Sequence, residues 1–215
     1  MGGSANTSAF STANSLVIGR LRWTNLTVWS DQNSGQLSDG KIGLDLFAGK
    51  IIEIDFTKHI LVIHPTLPSN RAGYDPLPLT TKQGSLFLKA TCQTRRAVFT
   101  HEFLLHSGYG GGVLLDDQVV EEHQLDQQIA ITGEKILTDA YGHRLTTKKG
   151  VLPGLRLGRY HLKEVPVGFF SGRIGQQRLS LLGGEVLKRF NWLIDAGHGR
   201  VYVKPATHYQ RASGS

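Results

Sequence analysis

Cysteine and long apolar runs are scarce in this sequence, and each scarcity excludes a class of protein. Cys92 is the single cysteine, which rules out an internal disulfide, a four-thiolate zinc site and a Cys-x-x-Cys redox motif. Apolar runs such as Ile60–Ile63 and Phe103–Leu105 are far shorter than the roughly 18 residues that cross a bilayer, so we expect no membrane-spanning helix. Residues 1–8 have neither a basic nor an apolar region, so we also expect no signal peptide there.

Glycine and positive charge are more plentiful. Gly accounts for 26 of the 215 residues, and so many turn formers favour a fold of many short strands. Lys and Arg number 24 against 17 Asp and Glu, for a formal charge of +7. The basic residues lie in scattered groups of two or three with little aromatic interleaving, which argues against a nucleic-acid surface. We therefore expect a globular protein with no nucleic-acid partner.

Short β-branched and apolar runs separated by Gly, Asn, Asp and Pro predict a mainly β fold. The predicted strands are Leu16–Leu21, Leu26–Trp29, Ile51–Phe56, Ile60–His64, Ser85–Thr91, Val98–Leu105, Lys135–Thr138, Leu157–Leu162, Trp192–Asp195 and Val201–Lys204. One helix is predicted over Asp116–His123, with Asp116 as its cap, and two short ones after Gly43 and Gly183. The prolines between residues 65 and 78 argue against a regular strand there.

An internal repeat is the strongest signal in the sequence. When the chain is shifted against itself by 140 positions, several identical residues align without a gap. The aligned pairs are Gly43 and Gly183, Ile54 and Ile194, Asp55 and Asp195, and Pro65 and Pro205. At a shift of 139, Ile18-Gly19-Arg20 aligns with Leu157-Gly158-Arg159. We infer that residues 16–65 and 155–205 are two copies of one unit.

The two copies differ in what precedes them. Residues 85–150 come before the second copy and have no counterpart before the first, so we expect the first copy to be half a lobe. The predicted segments are a disordered arm over 1–14, a partial lobe over 15–66, a linker over 67–84, a complete lobe over 85–205 and a disordered tail over 206–215. The exposed edges of a half lobe need cover. An upstream half lobe, a second copy of the chain, or the linker would supply it.

Two motifs carry the candidate chemistry. The first runs from Phe103 to Leu115: an apolar strand, then His106-Ser107-Gly108, a glycine-rich turn and a second apolar strand. The second is an apolar pair followed by Gly and a short amphipathic helix, at Ile42-Gly43 and again at Leu182-Gly183. Together they resemble the aspartic-protease clan of pepsin-like and retropepsin-like proteins, most closely the two-lobed aspartyl-protease-like proteins of bacteria. The segment Lys188–Pro205 resembles the end of a lobe in those bacterial members.

The resemblance implies a fold, a ligand class and a set of site residues. In that family each lobe is a β-barrel with an apolar strand ending in Asp-Thr-Gly or Asp-Ser-Gly, and an apolar-apolar-Gly element packs beneath that loop. It implies a peptide or protein ligand, no metal or other cofactor, and a periplasmic or secreted location. The implied site residues are His106, at the position of the catalytic Asp, Ser107 and Gly108 beside it, Tyr109 and Gly110 against the ligand, and Tyr141 and Gly142 in a flap hairpin.

His106 departs from the family at the position of its chemistry. In such enzymes two carboxylates, one from each lobe, share a proton and hold the attacking water. An imidazole lacks both that geometry and the like-charge coupling that raises the pKa of a partner carboxyl. We therefore predict a pseudoenzyme of this hydrolase family, inactive in this form, that retains a peptide-binding cleft. Two alternatives stay open: an active endopeptidase, with His106 as general base, when an upstream lobe or partner completes it, and a non-enzymatic binding or structural module.

Other acidic residues have structural interpretations. Asp195-Ala196-Gly197 superficially copies the family signature, but its repeat counterpart, Asp55-Phe56-Thr57, has no Gly. We therefore predict that Asp55 and Asp195 cap hairpin turns. Asp45 and Glu185 also correspond between the copies, and we place both in the first turn of a helix, where an acid suits the helix dipole.

Overall fold

Strands joined by tight turns make up most of the chain. The structure, a computed structural model, describes residues 9–30, 40–138, 144–171 and 177–209. Two units are distinguished, Met1–Ala48 and Gly49–Ser215, and each is described by itself. The strands are β1 (Phe10–Ile18), β2 (Leu21–Trp29), β3 (Ile51–Asp55), β4 (Ile60–His64), β5 (Asp75–Lys82), β6 (Ser85–Gln93), β7 (Val98–Leu105), β8 (Val113–Leu114), β9 (Ala130–Thr138), β10 (Arg144–Leu157), β11 (Tyr160–Ser171), β12 (Leu181–Leu182), β13 (Phe190–Asp195) and β14 (Arg200–Pro205).

Helices are few and short. The α-helices are α1 (Asp117–Glu122) and α2 (Gly184–Leu187), and the 3₁₀ turns are Leu44–Phe47, Leu125–Gln127 and Ala196–His198. The predicted cap of α1 is confirmed, because the Asp116 carboxylate accepts a hydrogen bond from the Val119 backbone at 2.9 Å. Within the described ranges, no helix has the length and apolar character that a membrane span requires.

The described residues of the first unit form the β1–β2 hairpin and the 3₁₀ turn Leu44–Phe47. The indole Nε1 of Trp23 donates a hydrogen bond to the Leu46 carbonyl at 2.9 Å, and the ring meets Phe47 edge-on at 5.7 Å. These contacts fasten the hairpin to Leu44–Phe47. The predicted single strand Leu16–Leu21 is wrong, since Gly19 takes a φ of 59° and starts a two-residue turn between the strands.

The second unit contains a closed barrel of six strands, so the predicted mainly β fold with a barrel is confirmed. Around the barrel the order is β6, β7, β12, β8, β11 and β10, and β10 returns to β6 through the pair Leu155↔Cys92. Apolar side chains fill the interior, among them Phe103 and Leu155, which are completely buried. The thiol of Cys92 lies in the same core, and burial raises its pKa to about 12.

A second sheet in this unit has the order β4, β3, β13, β14 and β5, and β5 then continues into the barrel beside β6. The expectation that residues 65–78 hold no regular strand is wrong for the last four of them, because β5 begins at Asp75 and lies within the predicted linker 67–84. Pro76 and Pro78 lie opposite Tyr202 and Arg200, at alternate positions of the ladder. Proline is tolerated there because the intervening residue supplies the hydrogen bonds.

The sequence repeat is present in this sheet as two equivalent hairpins, β3–β4 and β13–β14. Each has the same register, with Asp55 opposite Ile60 in one and Asp195 opposite Arg200 in the other. The hairpins meet along β3 and β13, and the central pair is Glu53↔Leu193, which are counterparts at the shift of 140. A local two-fold axis through that pair therefore relates the two hairpins.

The repeat extends to the turns of the longer hairpins. β10 and β11 are joined at Gly158-Arg159, and Gly158 has a φ of 55°, close to that of its counterpart Gly19. The predicted strand Leu157–Leu162 is therefore also wrong, because it spans this turn. The predicted segments 1–14, 15–66, 67–84, 85–205 and 206–215 stay predictions; β1 begins at Phe10, and the boundary between the units follows Ala48.

Candidate functional site

The candidate site is the glycine loop, His106–Gly112, which joins β7 to β8. The short strand β12 lies between those two strands, parallel to β7 and antiparallel to β8. Backbone hydrogen bonds run from His106 N to Leu182 O at 3.0 Å, from Gly183 N to Gly112 O at 2.8 Å and from Gly184 N to Tyr109 O at 2.7 Å. The expected packing of the Leu182-Gly183 element against this loop is thus present.

Gly183 is needed for that close approach. A Cβ at this position would lie 2.3 Å from the Gly111 carbonyl oxygen and 2.5 Å from that of Tyr109. Both obstacles are backbone atoms of the loop, so they cannot move aside without displacing it. The Gly in this motif therefore has a packing reason that is independent of any chemistry.

Tyr109 turns its ring towards the glycines of the loop. A Cβ on Gly111 would lie 2.4 Å from the Tyr109 hydroxyl oxygen, and one on Gly168 would lie 3.2 Å from it. Burial raises the pKa of the Tyr109 phenol, so the ring stays neutral over the ordinary pH range. The packing makes Tyr109 part of the loop's framework, and its contact with a ligand stays a prediction.

His106, Ser107 and Gly108 form the leading turn of the loop. The Tyr109 amide donates to the His106 carbonyl at 3.1 Å and closes this turn. The imidazole of His106 lies over Gly108, where a Cβ would come within 2.8 Å of its Cε1 atom. Ser107, Gly108 and Gly110 are exposed and His106 is half-buried. The structure thus brings five of the predicted residues together in one loop, while their catalytic or binding roles stay predictions.

The predicted flap residues Tyr141 and Gly142 lie outside the described residues. The strands that flank them are described, and β9 and β10 form an antiparallel pair up to Thr138↔Arg144.

The prediction that Asp55 and Asp195 cap hairpin turns is confirmed. Oδ1 of Asp55 accepts hydrogen bonds from the backbone amides of Thr57 at 3.0 Å and Lys58 at 2.9 Å. Oδ1 of Asp195 accepts a hydrogen bond from the backbone amide of His198 at 3.3 Å, and it also lies 2.8 Å from Nδ1 of the His198 imidazole. Both carboxylates are buried in their own turns, so Asp195-Ala196-Gly197 is a structural motif.

A polar cluster on the other side of β8 was missed by the sequence analysis. Asp116, besides capping α1, accepts a hydrogen bond from the Ser180 hydroxyl at 2.7 Å and pairs with Nε2 of His101 at 2.9 Å. The cluster lines a cavity of about 410 Å³. The only sequence signal was the capping role of Asp116, because the three residues lie far apart in the chain. Across the ranges with assigned structure, no group of three or more His, Cys, Asp and Glu is placed to hold a metal ion.

Comparison with known proteins finds structural similarity without a sequence match. No family model and no curated protein matches the sequence. Among solved structures, the chain resembles basic 7S globulin from soybean, which has the pepsin-like aspartic protease fold, with a TM-score of 0.45 and 11% sequence identity. The match covers 88% of this chain and 64% of the globulin. The chain therefore spans less than two thirds of that protein.

Proposed function

We propose that this chain is an aspartyl-protease-family protein that binds extended peptides along the glycine loop and does not cleave them. The observation that carries the proposal is the position of His106 at the start of the glycine loop. His106 directly follows β7, and its backbone amide donates a hydrogen bond to the Leu182 carbonyl. Ser107 and Gly108 follow it. The tripeptide thus keeps two residues of the family signature and lacks its carboxylate.

The loss of cleavage follows from charge. Two facing carboxylates share one proton, because the charge of the first raises the pKa of the second. The protonated carboxyl then donates to the scissile carbonyl while its partner takes a proton from water. An imidazole is neutral or positive, so His106 cannot raise a partner's pKa by repulsion between like charges.

Peptide binding is supported by the backbone that the loop exposes. Ser107, Gly108 and Gly110 are exposed, and the two glycines let another backbone approach closely. Extended peptides gain much of their affinity from main-chain hydrogen bonds, and side-chain pockets add specificity. The bonds to Leu182, Gly183 and Gly184 hold the loop in place before binding, which reduces the entropy lost on binding.

Two measurements on the full chain test both halves of this proposal. A fluorogenic peptide library should remain uncleaved from acidic to neutral pH, while a mixed peptide pool should shift the amide resonances of residues 107–110. Gly110→Val should weaken binding at least tenfold without unfolding the chain, because a Cβ at Gly110 meets no atom within 4 Å. Gly197→Val is the matched control, since Gly197 has the same open surroundings in a distant turn.

Two outcomes would contradict the proposal. Cleavage by the wild type that disappears in His106→Ala would support an active endopeptidase with His106 as its base. A folded chain whose loop resonances do not respond to any peptide would support a module that uses a different surface.

A further inference from the structure

We propose that the outer edge of β4 is a docking site for an extended strand of another polypeptide, which adds antiparallel to β4 in the register that β5 takes on β14. This inference concerns an interaction surface away from the glycine loop and does not depend on the proposed function. It rests on the two-fold relation between the hairpins β3–β4 and β13–β14, and on the difference in what covers them.

β4 ends its sheet. It pairs with β3 on one side, and no described strand pairs with its other side. Its apolar side chains are open to solvent, with Ile60 46% and Leu61 51% exposed. A strand edge with unpaired backbone groups and apolar side chains favours the addition of another strand, unless charges, proline or a bulge block it. β4 contains none of these between Ile60 and Ile63.

β14 is the counterpart of β4 under the two-fold axis, and its outer edge is occupied. β5 pairs there antiparallel, with Leu77 opposite Val201 and Asp75 opposite Val203. Val201 and Val203 are completely buried, whereas Leu61, the counterpart of Val201, is half exposed. The same backbone geometry therefore has a neighbouring strand in one copy, whereas in the other no strand of the described ranges lies beside it.

The prolines of β5 identify the backbone groups that make this contact. Pro76 and Pro78 have no N–H, so their pairs are the non-bonded ones, and the hydrogen-bonded pairs of the ladder are Leu77 with Val201 and Asp75 with Val203. The bond from Leu79 N to the Gly199 carbonyl, at 2.9 Å, continues that alternation.

Because β4 and β14 are counterparts in the repeat, the same pattern identifies the backbone groups of β4 that would bind the partner strand. The counterparts of Val201 and Val203 are Leu61 and Ile63, whose N–H and C=O groups point outward, and the counterpart of Gly199 is His59. His59 and Gly199 both have left-handed backbones, with φ of 57° and 62°. The hairpin therefore already holds its outer edge in the geometry that binds β5 in the other copy.

The kind of partner follows from the same register. It is an extended segment with an apolar residue opposite Leu61, as Leu77 is opposite Val201. The positions opposite Ile60 and Val62 need no N–H, so proline is accepted there, and apolar residues are favoured because both β4 side chains are apolar. A second copy of this chain does not offer its β5 as the partner strand, because that strand is already paired with β14.

The chain itself provides the probe. A synthetic peptide with the sequence of residues 73–81 carries the β5 strand and should bind β4 in trans. At saturating peptide, we expect the amide hydrogens of Leu61 and Ile63 to exchange at least tenfold more slowly, with no change at Val201 and Val203. The matched control is the same peptide with an N-methyl group on the residue corresponding to Leu77, which removes the N–H that faces Leu61.

Disulfide capture checks the register without relying on affinity. Leu61→Cys should form a mixed disulfide by thiol–disulfide exchange, releasing thionitrobenzoate, at least tenfold faster with a peptide whose thionitrobenzoate-activated Cys is at position 77 than with one that carries it at position 76, whose side chain lies on the opposite face. The native Cys92 is completely buried and does not compete. Equal rates for the two peptides, equal binding of the N-methyl peptide, or protection of Leu61 by pairing between copies of the chain would each overturn the proposal.

Discussion

The hairpins β3–β4 and β13–β14 have the same register and meet across a two-fold axis, yet among the described strands only β14 has a further neighbour on its outer edge. Val201 is completely buried on β14, while Leu61 at the same position of β4 is 51% exposed. Residues Asp55 and Asp195 cap the two turns, and His59 and Gly199 complete them in the same left-handed conformation. Turn chemistry therefore sets the register of these hairpins, since the register is the same although no strand in the described part of the chain pairs with the outer edge of β4.

The largest effect is expected at Leu182-Gly183, the element of the second copy that packs against the glycine loop. Gly183→Ala would place a Cβ 2.3 Å from the Gly111 carbonyl oxygen, and overpacking against fixed backbone should lower the free energy of unfolding by about 3 kcal/mol. Urea denaturation measures this. Gly184→Ala is the control, because its Cβ would lie at an ordinary 3.6 Å from Tyr109 O, and a similar loss in both variants would contradict the packing described.

The second prediction compares the same position in the two copies. Val201→Ala removes two buried methyl groups and should cost about 2 kcal/mol of unfolding free energy. Leu61→Ala removes more carbon from a half-exposed site, and should cost under about 0.5 kcal/mol. Thermal or urea unfolding of the two variants measures the difference. If Leu61→Ala lowers the free energy of unfolding as much as Val201→Ala does, the Leu61 side chain is buried. The difference in burial between the two hairpins would then be contradicted.

The third prediction concerns the residue with a left-handed backbone in each of the two turns. His59 bears a side chain in the left-handed region, where Gly is favoured by about 1 kcal/mol, so His59→Gly should stabilise the chain by up to that amount. Gly199→Ala should destabilise it by about 1 kcal/mol, since a Cβ there also comes within 3.3 Å of the Leu79 carbonyl oxygen. We expect the two substitutions to change the free energy of unfolding, measured by calorimetry, in opposite directions. The same sign for both substitutions would show that the turns are not equivalent.

The last prediction tests the burial of the core by thiol chemistry, and its effect appears only at alkaline pH. Burial raises the pKa of Cys92 to about 12, from an ordinary value near 9, so the native state holds the thiol neutral. The stabilisation from this neutral thiol is complete below pH 9 and is lost as the pH rises towards 12. Cys92→Ala should therefore flatten the decline of unfolding free energy in that window, measured by urea denaturation at several pH values. An unchanged slope would show that the thiol is accessible to water.

Sequence patterns predicted the elements whose signals are local. The capping Asp116 located α1, and the repeat located both hairpins of the central sheet. In both cases neighbouring residues carry the information, through capping or periodicity. The packing of Leu182-Gly183 against the glycine loop was implied by the family resemblance and not by a local pattern.

Features that depend on distant partners were missed. Gly19 and Gly158 divide what reads as one apolar run into two strands, because a single glycine in the left-handed region is enough for a tight turn. Pro76 and Pro78 fit a strand only because β14 places their missing N–H groups at non-bonded positions. The contact between His101 and Asp116 depends on how β7 and β8 lie on either side of β12, which no local pattern encodes.

Residue-resolved amide hydrogen exchange on the free chain tests the central comparison most directly. We expect the amides of Val201 and Val203 to be protected by β5 and to exchange at least a hundredfold more slowly than those of Leu61 and Ile63. Equal protection at the two pairs of positions would contradict it, because β4 would then have a neighbouring strand of its own.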